Sequence, residues 1–286
     1  MVTEMAGPRI WVNTDPLWIG HDLETNNSNP LDRLRLGLVR RYQLHFVINS
    51  IFGYERLNVD QLGAGLLGFQ SDPDGLHPQW ASYLEGLRIS INRPQQVINH
   101  PVNHFAAINV AGTVFNATRM AFLEGGRFVL MATFRRPVRE MLHGFADGTW
   151  APALLLETVD KNSQTEFKGV TCQFRPTGTR MNLPNTGAPS RPDLPASAVL
   201  KLMDPVNPSP FTLILSYNSA ATPSGSAFFL ADQEIVDSAS FDFAVMNDVR
   251  VVNKVLIGVG AAGGGGYKAQ VDLLDVQIWL PAFPII

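Results

Sequence analysis

From about residue 104 to the end of the chain, short apolar runs alternate with turn signals. The runs are HFAAINV (104–110), TRMAFL (118–123), RFVLMATFRR (127–136), PALLLETVD (152–160), TEFKGVTCQFRP (165–176), AVLKLMD (198–204), FTLILSYN (211–218), SAFFLADQEIVDSASF (226–241), VVNKVLIGVG (251–260) and YKAQVDLLDVQIWL (267–280). Clusters of Gly, Pro, Asn and Asp separate them, which is the pattern of a β-sandwich or barrel. In the last run Tyr267, Ala269 and Val271 alternate, and Leu274, Val276 and Ile278 alternate after a one-residue break, the mark of a β-bulge. Residues 176–198 hold too many prolines for a central strand and read as a long surface loop.

The first hundred residues have a different texture. Residues 1–30 look irregular, with a polar loop at 22–30. Over 30–52 two periods compete. Leu31, Leu34, Leu38, Tyr42 and Phe46 fit a helix, while Leu44, Phe46 and Ile48 fit a strand. Asp32 suits a helix start, so the pattern predicts helix over at least 31–43. A short helix is predicted over 78–87, and RISINRPQQVINHPVNH (88–104) reads as an irregular connector. The chain therefore divides into a mixed or helical N-terminal anchoring region, 1–102, and a mainly β domain, 103–286.

Composition narrows the function classes. The 286 residues are 45% hydrophobic and only 16% charged, with a formal net charge of −3. No long basic run exists to neutralise phosphates, so no nucleic-acid partner is expected; Arg33, Arg35, Arg40 and Arg41 read as a solvated face or a subunit contact. Cys172 is the only cysteine, which excludes an intrachain disulfide and a cysteine zinc site. The N-terminus lacks the basic and apolar segments of a secretory signal, and no run reaches the length of a membrane span.

The stretch Gly258-Val-Gly260-Ala-Ala-Gly263 spells a dinucleotide-binding fingerprint. That motif needs a helix after the glycines and a βαβ unit around them. Four consecutive glycines at 263–266 oppose a helix start, and residues 267–271 alternate like a strand, so a hairpin loop is the preferred reading.

LIGVGAAGGGGYKAQVDLLDVQIWLPAF (256–283) resembles the final hairpin of a laminin-G-like, concanavalin-A-like jelly roll. There a glycine-rich turn meets an aromatic-led strand, and Tyr267, Val271, Asp272, Asp275, Val276, Ile278 and Trp279 take the corresponding places. Ala269 stands where the family has glycine, and one residue is inserted at the two aspartates. Residues 211–218 and 224–238, with the short polar turn Ala231-Asp232-Gln233, resemble the family's middle hairpin, and the runs over 125–160 resemble its first core strands. The resemblance implies a concanavalin-A-like β-sandwich over about 105–286. It leaves function open, since one fold hosts many activities.

Candidate chemistry is thin. Glycan hydrolysis needs two facing carboxylates, and the nearest cluster, Asp232-x-Glu234-x-x-Asp237, reads as a turn and a solvated edge. The resemblance implies that calcium could sit at a loop rim. Asp147, Asp160, Asp232 and Asp248 are the available ligands, with turn formation as the competing role. His100 and His104 have zinc spacing only on a helix, which Pro101 opposes; His143 beside Asp147 lacks a nucleophile. Of Trp11, Trp18, Trp80, Tyr83 and Trp150, Trp150 in its Gly-Thr-Trp-Ala-Pro loop is the candidate for stacking on a sugar. The ligand-binding expectation thus names Trp150, Asp147 and Asp232, with no catalytic residue, no cofactor beyond calcium, and no enzymatic activity.

A sandwich of this kind with no secretion signature, no disulfide and no catalytic signature points to a structural component of a virus or bacteriophage particle. A tail, fibre or head-decoration protein would be made in the host cytoplasm as a homo-oligomer, contact other virion proteins, and have a cell-surface glycan as its ligand. The alternatives are a carbohydrate-binding protein acting alone, or a glycan-cleaving enzyme with a diverged site.

Overall fold

A computed structural model describes residues 9–18, 40–47, 68–71, 79–80, 87–93, 104–109, 127–136, 149–160, 165–175, 178–184, 186, 188–218, 220–241, 249–262 and 267–280. These form two antiparallel sheets packed face to face, so the mainly β sandwich expected from the apolar runs is the fold observed.

The strands, in chain order, are β1 (Arg9–Trp18), β2 (Arg40–Val47), β3 (Gly68–Ser71), β4 (Gln79–Trp80), β5 (Leu87–Arg93), β6 (His104–Asn109), β7 (Arg127–Arg135), β8 (Thr149–Asp160), β9 (Thr165–Arg175), β10 (Gly178–Asn182), β11 (Phe211–Asn218), β12 (Gly225–Ala231), β13 (Glu234–Phe241), β14 (Val249–Ala262) and β15 (Tyr267–Leu280). The larger sheet runs β1-β2-β15-β7-β11-β12-β13, with β5 also on β15 and β4 on β5; the smaller runs β10-β9-β8-β14-β6-β3.

Alternation decides which residues meet between the sheets. From the larger sheet come Phe128, Leu130, Ala132 and Phe134 of β7, Phe211, Leu213 and Leu215 of β11, and Val271, Leu273 and Val276 of β15. From the smaller come Leu154 and Leu156, Val170, Cys172 and Phe174, and Val255, Ile257 and Val259. Apart from the step between Leu273 and Val276, each set keeps period two, the geometry of a strand with one face on the core.

The break in the last run is a bulge, as its spacing predicts. The register of β15 against β7 shifts between Leu273 and Asp275. Its phase differs from the expectation, because Leu273 rather than Leu274 faces the core. Before the shift β15 pairs with β5 from Tyr267 to Leu273; beyond it, with β2 from Asp275 to Leu280. The extra residue sits where one long strand changes partners.

The glycine-rich stretch is neither a nucleotide loop nor a hairpin. Gly258 and Gly260 lie inside β14, opposite Ala153 and Ala151 of β8. The next described segment is strand β15, so no helix is placed to meet a pyrophosphate. β14 and β15 belong to different sheets, so they are not the two arms of a hairpin; 263–266 lie outside the described residues.

Several N-terminal expectations are corrected. Residues 9–18, read as irregular, form strand β1 at one end of the larger sheet. Pro16 falls where its register against β2 shifts, a place that tolerates a missing N–H. The helix predicted over 31–43 meets a strand from Arg40 onward; 31–39 lie outside the described residues. Pairing with β15 overrides the helical spacing there, because Leu44 stands opposite core-facing Val276. The helix predicted over 78–87 begins as the short strand β4, and the connector predicted from 88 is strand β5, whose Ile89 is buried. Strands from before residue 103 thus take part in both sheets.

The run at 198–204 is the reverse case. Ala198, Leu200 and Leu202 alternate as a strand would, yet Ala196–Leu202 is a helix, α1. It buries Ala198 and Leu202, four residues apart on one helical face, and leaves Leu200 74% exposed. Lys201 in its last turn pairs with Asp232 at 2.7 Å, and Arg136 Nη1 donates to the Met203 carbonyl just beyond it at 2.9 Å. The surface loop predicted over 176–198 is partly the edge strand β10 and partly a packed segment, with Leu183, Thr186 and Leu194 buried.

Candidate functional site

The sequence-derived site residues do not come together. Asp232 and Gln233 form the tight turn between β12 and β13, both with positive φ (50° and 66°), the geometry of a two-residue type I′ hairpin. The Asp232 carboxylate accepts from Lys201 Nζ, which holds it below the usual carboxylate range and raises Lys201. Asp232 is thus engaged in a surface ion pair. Glu234 is exposed at the start of β13, while Asp237 is buried and paired with Arg191, so the three acids face different surroundings. Trp150 stands in β8 opposite Phe174 of β9, whose ring belongs to the core. Asp147, Asp248, His100 and His143 lie outside the described residues. His104 opens strand β6, so its spacing from His100 is not that of one helical face.

Among the described residues no group of three His, Cys, Asp or Glu side chains is placed to hold a metal ion. Of the candidates for calcium that are described, Asp160 ends β8 opposite Val249 of β14, and Asp232 directs its carboxylate to a lysine. The described residues therefore do not fit a calcium shell. The Cys172 thiol is enclosed in the core, where burial pushes its pKa well above the usual thiol value. It fills space rather than reacting.

A different constellation sits on the outer face of the larger sheet. β15 lies near the middle of that sheet, and beyond its bulge Asp275, Gln277 and Trp279 share the face turned away from the core. The Trp279 indole N–H donates to Gln277 Oε1 at 3.3 Å, and Gln277 Nε2 donates to Asp275 Oδ2 at 2.9 Å. Both hydrogen-bonding ends of the Gln277 amide are thereby used, which fixes its plane and one carboxylate oxygen of Asp275. Across the ladder Asp275 stands opposite Thr133 of β7, whose hydroxyl bonds that of Thr212 on β11 at 3.0 Å. In register beyond β15, His45 of β2 is opposite Asp275, and Gln43 is opposite Gln277. Trp11 and Asn13 of β1 stand opposite those two.

Beside this polar row the same face is apolar. Val129, Ile214, Leu230 and Trp279 form a cluster separate from the main core, with Met131, Phe228 and Ile235 packed on it. Asp272, fully buried, stands between Arg135 of β7 and Arg88 of β5 in register. Val129, Ile214, Leu230 and Trp279 are themselves buried, so this strip packs as a second small core, and the half-buried Asp275 and Gln277 are what the face offers to a polar ligand.

The sequence reading used Asp272, Asp275 and Trp279 for fold and passed over them as a site. A signal was present: in Asp275-Val-Gln277-Ile-Trp279 polar groups and an indole alternate with β-branched residues. Alternation says that one face is buried, but only the sheet order shows that the other face lies mid-sheet beside Thr133 and Thr212.

No protein-family model matches the chain, and no curated protein matches it by sequence. Solved structures do match. Peanut lectin is similar with 11% identity and a TM-score of 0.44, over 80% of this chain and 97% of that one. An endo-β-1,4-glucuronan lyase from Trichoderma reesei is similar with 9% identity and a TM-score of 0.39, over 84% and 98%. The alginate lyase Aly36B is similar with 7% identity and a TM-score of 0.42, over 79% and 92%. The two lyases correct the expectation that the chain is no enzyme. That expectation rested on the missing pair of strand acids.

Proposed function

We propose that this chain binds a glycan across the outer face of its larger sheet, with Asp275 and Gln277 of β15 as the central polar contacts. The observation that carries the reading is the Trp279–Gln277–Asp275 relay, which aligns an amide and a carboxylate along one strand. Sugars present hydroxyl groups at fixed spacing, and polar groups already oriented lose less freedom when they bind them. Thr133 and Thr212 extend the row onto the next two strands.

The test is binding to a panel of polysaccharides and oligosaccharides by the full chain and by Asp275→Ala and Gln277→Ala. Loss of a charged hydrogen-bond acceptor is expected to weaken binding about ten- to a hundredfold for Asp275→Ala, with a smaller loss for Gln277→Ala. Binding that is unchanged in both variants would remove the site from this face. The same mixtures are read for shortened chains; shortening that disappears in Asp275→Ala would turn the binding row into a catalytic one.

The proposed setting is display on a virus or phage particle as a homo-oligomeric structural component. High apolar content with low charge supports burial of surface between subunits. Light scattering on the full chain checks this, with one defined mass above that of a 31.4 kDa monomer as the expected result. A monomer at every concentration would defeat it.

A further inference from the structure

Strand β13 is the last strand of the larger sheet, and among the described residues one side of it has no neighbouring strand. A free edge presents unpaired N–H and C=O groups, a template for another extended strand. At Ser238 both groups are already taken. The Ser238 N–H donates to Asp237 Oδ1 at 2.8 Å, and the Ser238 carbonyl accepts from Arg191 Nη2 at 2.7 Å. The same guanidinium grips the Asp237 carboxylate, with Nε to Oδ2 at 3.2 Å and Nη2 to Oδ1. Side chains meet both groups of Ser238, which marks them as the outward pair of that residue.

Arg191 comes from the segment that links β10, at the edge of the smaller sheet, to α1. That segment is seated along its length. Thr186 Oγ1 donates to the Leu183 carbonyl and accepts from the Ala188 N–H, at 3.0 and 3.3 Å. The Asp193 carboxylate lies against Gly178, where an added Cβ would come within 2.4 Å of Oδ2. The Leu194 N–H donates to the Thr179 carbonyl at 2.6 Å, and the Leu194 side chain enters the core. The segment thus reaches from the edge of one sheet to the edge of the other. It delivers a planar, multi-donor cation to the point where β13 exposes its backbone.

We infer that Arg191 and Asp237 form a latch that closes the Ser238 edge of the larger sheet against strand addition, and that the partner it refuses is an extended strand, first of all the same edge of a second copy. A second irregularity supports this: β13 shifts register against β12 beside Asp237, between the partners of Phe229 and Leu230, and bulges interrupt edge pairing. The Asp237 side chain is only 8% exposed, so an inward carboxylate at this edge would be costly for a copy to dock against once its cation had moved.

The experiment compares the full chain with Arg191→Met/Asp237→Val, which removes both charges together and leaves no lone buried carboxylate. Fold is checked by circular dichroism, assembly by light scattering, and the interface by hydrogen exchange over residues 234–241. The latch predicts a folded variant whose mass rises with concentration to about double that of the unsubstituted chain or more. It also predicts exchange over 234–241 slowed about tenfold as the mass rises. A mass equal to that of the unsubstituted chain at every concentration overturns the inference, and so does assembly with no slowing at 234–241. If the double variant does not fold, Arg191→Lys carries the test, since one ammonium keeps the charge but cannot span the carboxylate and the Ser238 carbonyl together. The same two outcomes apply to it.

Discussion

Replacing Phe211 by alanine is expected to lower the unfolding free energy by about 3–5 kcal/mol, the range for deleting a buried aromatic ring. Phe211 is 1% exposed at the start of β11 and touches three other rings. It stacks on Phe134 of β7 and Phe229 of β12, with centroids 5.7 and 5.4 Å away, and meets Phe174 of the smaller sheet at 5.7 Å in a tilted arrangement. One side chain therefore joins two strands of its own sheet and bridges to the other. Its removal costs the transfer of a whole ring and leaves a void that four strands cannot close without moving their backbones. Urea unfolding of the full chain reads the change. A loss below about 1 kcal/mol would show that the site collapses around the missing ring, and the hub assigned to Phe211 would be wrong.

Gly169→Ala is expected to be as damaging, for a different reason. Gly169 lies in β9 opposite Leu155 of β8, with φ at +153°, outside the range that a side chain readily adopts. A Cβ there would stand 2.3 Å from the Leu154 carbonyl oxygen and 3.0 Å from Leu155 Cα. Both obstacles are backbone in the next strand, so relief requires breaking the β8–β9 ladder rather than turning a rotamer. A cost on the order of 3 kcal/mol, or failure to accumulate folded protein, is the expected outcome. Unchanged thermal unfolding of Gly169→Ala would contradict the close approach of β8 and β9. Glycine inside a strand is the sequence sign of such an approach, though the sign does not say which neighbour is near.

How far the sequence could be read varies by element. Runs such as 127–136 and 211–218 were legible because their alternation, their length and their flanking turns agree. The turn at Asp232-Gln233 was legible for the same reason. The run at 198–204 was not, because Ala198, Leu200 and Leu202 satisfy the strand template as well as Ala198 and Leu202 satisfy the helix. The choice fell to where the core lies. At Arg40–Val47 the conflict ran the other way, and pairing with β15 overrode a helical spacing.

The candidate site shows the same division. Asp232 and Trp150 stood out because each sits beside turn residues, which mark loops, and loops carry much function. Yet Asp232 serves a turn and an ion pair, and Trp150 stands opposite a core phenylalanine. Asp275 and Gln277 did not stand out, because a polar residue alternating in a strand is what any half-buried strand shows. Arg191 and Asp237 are 46 residues apart, and nothing local pairs them.

By itself the sequence determined that the chain is mainly β, where most C-terminal strands run, that β15 carries a bulge, and that the glycine-rich stretch opens no helix. These conclusions rest on local rules: side chains alternate every residue in a strand, and glycine and proline restrict the backbone where they stand. Only the tertiary structure decided that β14 and β15 lie in opposite sheets, that N-terminal strands complete both sheets, that 196–202 is helical, and that Asp275, Gln277 and Thr133 share one face. Those outcomes depend on which strands become neighbours. That is settled by burial summed over the whole core, a quantity to which each residue contributes and which none encodes alone.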